Sequence, residues 1–401
     1  MVKVSSHRTG VSASQRTLAS RPDYILVGVV VILVVLGILV LASVSASLSQ
    51  EKFGTTYYFL NHQLLFGLLP GLILAFLAFK IRLDFLKKWA PVLLLINLIL
   101  LAMVFLPKIG VGAGGATRWL SLGPISFQPS EFLKLTFILY LAAWLTSRTP
   151  HQPAGGGQTE KRFSQTLITF LIVIGLISLF LIFQPNIGTL GVIVLVALLM
   201  YFLAATPLWH SILIILIGAG GLFSLIKLAP YRAARLLVFL KPETDPMGIG
   251  YQIKQALIAI GSGGIFGLGL GMSGQRLGFL PQSISDSIFA IMAEETGFIG
   301  SLILISLFLI FLWRGFKVGK RVENKFSQLL AAGISSWIVI QAFINVGSMT
   351  GLLPLTGIPL PFISYGGSAL VAELIGVGIL LNISKNKSMR ACRFHLHLHF
   401  L

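Results

Sequence analysis

Residues 163–226 contain no Asp, Glu, Lys or Arg, and neither do residues 24–50 or 326–372. A helix crosses about 30 Å of hydrocarbon with roughly 20 apolar residues. In lipid every backbone polar group must be satisfied within the protein, so such runs must be helical. The longest run is broken at Gln184-Pro185-Asn186 and at Thr206-Pro207. Proline lacks an N–H and clashes with the preceding turn, so these breaks divide it into three short-looped spans. Spans are predicted at about 24–46, 57–79, 88–106, 130–147, 163–183, 187–205, 208–228, 286–313, 328–349 and 367–384. The chain is 56% hydrophobic and 10% charged. A soluble domain carries about 25% charged residues, so an ordinary soluble enzyme is excluded. The single Cys392 excludes an internal disulfide.

The net charge of +18 would suit a nucleic-acid binder, but its distribution argues otherwise. The two tails and the loops near 80–88, 148–162 and 314–325 hold 20 of the 30 Lys and Arg; the opposite loops hold 8. The positive-inside rule then places both termini in the cytoplasm. The expected fold is an all-α polytopic membrane protein of about ten transmembrane helices. Its large extracytoplasmic loop, about 230–285, joins helices 7 and 8. Residues 1–22 and 386–401 form cytoplasmic tails around a membrane domain at 23–385. No cleaved leader and no internal repeat is evident. His395, His397 and His399 alternate in the C-terminal tail without the fixed geometry a metal site needs.

The unusual sequence lies outside. The loops 107–128, 230–285 and 350–366 are long yet apolar, which predicts that they pack on the bundle. Asp286 sits where the longest loop meets the eighth span. It can cap that helix, directly or as the third residue after Ser283, or act as a base; the two are compatible. Glu294 and Glu295 follow within the span, where carboxylates face a cavity or a neighbouring helix. Glu131 and Lys134 open the fourth span at a spacing that lets them pair. Dipole stabilisation with an ion pair, or a place in a substrate cavity, explains them equally well. Arg118, Arg232, Arg235, Lys241, Lys254 and Arg276 are the outer cations, facing headgroups or an anionic lipid-linked substrate. The glycine-rich GSGGIFGLGLG (261–271) is not G-x-x-x-x-G-K-[ST] and has no βαβ context, so nucleotide binding is rejected. Close backbone packing explains its glycines better. Gln341 and Asn345, one turn apart, suit interhelical hydrogen bonds.

Four blocks carry a resemblance: GATRWLSLGPISFQPSEFLKL (115–135), DPMGIGYQIKQALIAIGSGGIFGLGLG (245–271), LPQSISDSIFAIMAEETGFIG (280–300) and GLLPLTGIPLPFISYGGS (351–368). Over about residues 20–385 the chain resembles the SEDS family (shape, elongation, division and sporulation). ARLLVFLKPETDP (234–246) and LGMSGQRLGFLP (270–281) look most like its division branch, FtsW. The resemblance implies a peptidoglycan glycosyltransferase that polymerises lipid II outside the cytoplasmic membrane. It implies that Asp286 is the essential carboxylate and that Glu131 and Lys134 shape the substrate cavity. Arg118, Arg232, Arg235, Lys254, Gln252 and Ser364 complete the expected substrate-facing set, with Glu294 and Glu295 in support. A class B penicillin-binding protein, other divisome membrane proteins and membrane lipids are the expected partners, at the division septum; no nucleic acid is. Two departures stand out. Ile284, Ser285 and Ser287 flank the aspartate where the family often has His-Thr and Phe. Asn186 replaces a frequent aspartate, so no function is placed there.

Joining sugars requires a base at the attacking hydroxyl, and one carboxylate suffices. The diphosphate is a good leaving group, so a second, proton-donating carboxylate is not required. It needs positive charge instead, from Arg, Lys or a divalent cation such as Mg or Mn. Three rivals stay open: a lipid II flippase, a scaffold recruiting a division transpeptidase, and another lipid-linked sugar transferase or ligase. A flippase should present charged groups to both sides, and here they cluster outside.

Overall fold

The computed structural model describes residues 21–107, 109–113, 116–123, 125–148, 156–204, 206–228, 230–245, 247–275 and 280–385. Arg276 and the C-terminal histidines lie outside the described residues. The first span is α1 (Tyr24–Phe53). The second is α2 (Tyr58–Gln63), a π turn (Leu64–Leu68) and α3 (Leu69–Lys80). Then come α4 (Leu83–Met103), α5 (Pro129–Arg148), α6 (Gly156–Phe183), α7 (Ile187–Leu203) and α8 (Leu208–Leu228). The last three spans are α11 (Ile288–Lys320), α12 (Lys325–Met349) and α13 (Gly367–Lys385). Eight of these spans are long and apolar enough to cross a membrane, and α7 is a shorter apolar helix. The remaining one, α5, has 20 residues, about 30 Å at 1.5 Å per residue. The multi-pass membrane fold expected from the uncharged runs is present.

The apolar windows of α12 and α13 are 78% and 83% buried, against 17% for α8. The centre of the bundle is therefore α12 and α13, with α5 packed on both. At the cytoplasmic end Asp23 caps α1 by accepting the Leu26 N–H at 3.1 Å. It also pairs with Arg314 at the end of α11, and its own N–H donates to Ser384 Oγ of α13. The first span is thereby fixed to two others at its first residue.

The two longer outer loops carry structure of their own. Within the loop 107–128, the described residues include an antiparallel sheet, β1 (Gly110–Ala113), β2 (Ala116–Leu122) and β3 (Ile125–Phe127), in that order. Gly110 pairs with Leu120, and Leu120 with Phe127. An apolar segment lying on a bundle must satisfy its backbone somehow, and strand pairing does so without a further helix. The long loop contains α9 (Pro230–Leu240) and α10 (Ile249–Ser262), the latter packed on α11.

The glycine-rich segment after α10 is built into α11. At Gly297 (φ 69°, ψ −165°) the helix breaks. The Leu268 and Gly269 N–H groups donate to Glu294 and Glu295 carbonyls, each at 3.0 Å. Phe298 N–H donates back to the Gly264 carbonyl at 2.9 Å. The freed helix carbonyls are thus satisfied by another backbone, which needs glycine on both sides. A Cβ at Gly267 would lie 2.1 Å from the Glu295 carbonyl oxygen, and one at Gly297 would lie 2.3 Å from the Gly267 nitrogen.

Candidate functional site at the outer face

Asp286 lies just before α11, not within it. Ser287 occupies the cap position and makes no side-chain cap bond. Its hydroxyl instead donates to the Pro281 carbonyl at 2.9 Å and accepts from Gln252 Nε2 at 2.9 Å. The capping expectation for Asp286 therefore fails: no backbone N–H of α11 is its partner, because the chain turns through Gln282 (φ 53°) before the helix starts. Three successive carbonyls are held from outside this turn. Ile284 accepts the Tyr365 N–H at 2.8 Å, Ser285 accepts the Ser364 hydroxyl, and Asp286 accepts Asn345 Nδ2 at 2.7 Å. Asn345 also donates to the Ile358 carbonyl at 2.8 Å, so one amide joins both loops to α12.

Ser285 Oγ donates to Asp286 Oδ1 at 3.0 Å, and Gly357 (φ 66°) faces Oδ2 with no side chain. Burial pushes the Asp286 carboxyl above its ordinary 3.8. The Ser285 hydroxyl, the residue's own backbone N–H, the charge of Arg235 and the Gln252 amide pull it down and are outweighed. A carboxyl with raised basicity on a fixed backbone has the properties of a general base.

The other expected residues divide into three groups. Gln252 and Arg235 act on Asp286 directly, and Ser364 positions its backbone. Arg118 and Arg232 bind backbone carbonyls: Arg118 holds Gln184 and Pro185 at 3.1 and 2.6 Å, and Arg232 holds Leu225 at 3.1 Å. Lys254 is exposed and about 200° around α10 from Gln252, so the fold does not bring it to Asp286. Glu294 and Glu295 carry the loop beneath the site. Glu294 accepts from Ser273 Oγ and the Gly274 N–H; Glu295 accepts from Ser43 Oγ and the Gly271 N–H.

Glu131 and Lys134 are 4% and 2% exposed. They pair at 2.7 Å, and Lys134 also donates to Gln341 Oε1 at 2.6 Å. In this geometry they belong to a filled interior network and do not line an open cavity. Glu373 of α13 belongs to the same network and went unremarked in the sequence. Its signal was present, since it is the lone carboxylate of its span. Asn186, given no function, caps α7 at Thr189 and donates to Ser130. Among the described residues no three His, Cys, Asp or Glu side chains converge. A magnesium ion held by one carboxylate together with substrate phosphates would need no such cluster.

Ten membrane spans, with a largely buried carboxylate held between two of the loops that join them, define a polytopic membrane protein with a candidate site at one face. The chain belongs to the FtsW/RodA/SpoVE family of cell cycle proteins, which it matches over residues 23–389. It is 38% identical to stage V sporulation protein E of Bacillus subtilis, covering 92% of this chain and 98% of that one. It is 40% identical to the probable peptidoglycan glycosyltransferase FtsW of Nitrosococcus halophilus, over 90% and 92%. Among solved structures, a chain of a peptidoglycan synthase complex that coordinates polymerization and crosslinking superposes with TM-score 0.69 at 28% identity, covering 90% and 97%. The rod shape determining protein RodA of Thermus thermophilus gives 0.64 at 29%, covering 91% and 97%.

Proposed function

We propose that this protein is a peptidoglycan glycosyltransferase that polymerises lipid II at the outer face of the bacterial cytoplasmic membrane, with Asp286 as general base. The observation that carries the reading is the Asp286 cradle: three pinned carbonyls beneath a carboxyl whose proton affinity is raised by burial. Asp286 takes the proton of the acceptor sugar hydroxyl as that oxygen attacks the anomeric carbon of the donor. The bond from that carbon to the diphosphate oxygen breaks, with inversion, and the lipid diphosphate leaves with the electron pair. Arg235, exposed on α9 and close enough to act on Asp286, is the described cation best placed to meet the developing phosphate charge. The lipid tails lie in grooves between the spans.

The relatives named FtsW support the reaction class and the FtsW-like branch, and a role in cell division at the septum is the part of the proposal that goes beyond those names. The synthase-complex neighbour supports a transpeptidase partner, a class B penicillin-binding protein. A flippase or a pure scaffold leaves the raised carboxyl of Asp286 without a task. The test is polymerisation of lipid II by protein carrying Asp286→Ala. Glycan formed at the wild-type rate would rule out Asp286 as the base and send the search to Glu294 or Glu131.

A further inference from the structure

We infer that Glu373, a residue outside the expected site, is a positioning residue for Asp286, acting through the loop 358–365. The inference rests on the proposed role of Asp286. Glu373 is 1% exposed in α13, and its two oxygens have different tasks. Oε2 accepts the Phe362 N–H at 2.8 Å, and Oε1 faces Gln341 Nε2 at 3.4 Å. Phe362 is a non-glycine residue with φ 64°, a conformation that persists only where the surroundings impose it. The surroundings here are specific. The Phe362 carbonyl lies where a Cβ on Gly37 of α1 would come within 2.3 Å. Its N–H is on Glu373, so the residue is pinned at both ends.

The restraint runs onward by short steps. Ser364 Oγ accepts the Leu360 N–H at 2.8 Å and donates to the Ser285 carbonyl. The next residue, Tyr365, donates its N–H to Ile284. Glu373 therefore fixes the turn whose end fixes the backbone of Asp286.

Gln341 explains how the deeper charges join in. Its Oε1 takes hydrogen bonds from Lys134 Nζ and Trp337 Nε1, at 2.6 and 3.0 Å. With the oxygen so occupied, the amide can present only its N–H groups to the other side. They meet the Pro359 carbonyl at 3.1 Å and Glu373. Lys134, held by Glu131, thus sets the direction of Gln341, and Gln341 braces both the loop and Glu373.

The test is a double-mutant cycle in full-length protein, with lipid II turnover and amide hydrogen exchange at 284–287 read together. Glu373→Ala should lower kcat on the order of 10- to 100-fold, as expected for a base displaced by about an ångström. KM should stay within about twofold, since the substrate contacts are intact. Exchange at 284–287 should quicken. Glu373→Gln keeps an acceptor for the Phe362 N–H and should restore most of kcat. Because much of the effect runs through Ser364, Glu373→Ala and Ser364→Ala together should cost clearly less than the sum of their single losses. If Glu373→Ala does not accumulate, Glu373→Met, of similar length without an acceptor, takes its place. Wild-type kcat with unchanged exchange, or fully additive losses, would overturn the inference. Asp286→Asn run alongside separates the two ideas. If it polymerises normally, the base assignment fails whatever Glu373 does, and the exchange result still decides whether Glu373 orders 284–287.

Discussion

Two carboxylate regions of this protein show what burial alone does not decide. In the interior, Glu131, Lys134, Gln341 and Glu373 form a network in which charge meets charge and the central amide uses its oxygen and its N–H groups. At the outer face Asp286 is ringed by hydrogen bonds too, but there the carbonyls of 284–286 are held by groups from other elements, while the carboxylate meets neutral partners, the Ser285 hydroxyl, its own N–H and the Gln252 amide. The interior region spends its polar groups on one another and holds shape. The outer region has its backbone held by other elements and leaves its carboxylate without a cation in direct contact.

Breaking the interior pair should produce the largest structural effect. Lys134→Met leaves Glu131 buried without its cation, at a cost of about 3–5 kcal/mol. Thermal unfolding in detergent should fall sharply, and adding Glu131→Gln should recover part of the loss. Gly297→Ala should approach that size. It places a Cβ 2.3 Å from the Gly267 nitrogen at a backbone angle suited to glycine, and should release the glycine-rich loop to proteolysis.

The outer carboxylate should behave in the opposite way. Burial raises the Asp286 pKa in the fold, so the folded chain holds this proton more tightly than the unfolded one. That contribution to stability is complete below the ordinary value of 3.8 and is lost as pH rises through the higher folded value. Removing the charge should then leave stability at neutral pH unchanged or slightly improved. Activity runs the other way, because the base must be ionised. The profile of kcat/KM should rise with pH through an apparent pKa above 3.8, and Arg235→Gln should move that limb upward while lowering turnover several-fold. The smallest effect belongs to Asn186→Ala. It should cost about 1 kcal/mol for a lost helix cap and leave the pH profile where it was.

The sequence made the spans legible because uncharged runs and prolines mark them without help from tertiary contacts. The ends of α11 and the nature of the outer loops were less legible. Asp286 falls just outside its helix because Gln282 turns the chain and Ser287 takes the cap position, facts that depend on residues of other elements. The sheet at 110–127 was hidden because an apolar, glycine-rich loop gives little periodicity to read. The expected chemistry at Glu131 and Lys134 was half visible: their spacing announced the pair, while Gln341 and Glu373 lie more than 200 residues away. Arg118 read as a phosphate ligand by residue type, and only the fold reveals that it clamps the turn at 184–185.

The most direct measurement is glycan synthesis by purified protein from lipid II, with and without its transpeptidase. Wild type is compared with Asp286→Asn, and thermal unfolding is recorded on the same samples. The account predicts long glycan strands from wild type, a loss of at least about 100-fold in the variant, and unfolding of the variant at or above the wild-type temperature. Equal glycan from both, or a variant inactive only because it unfolds, would contradict it.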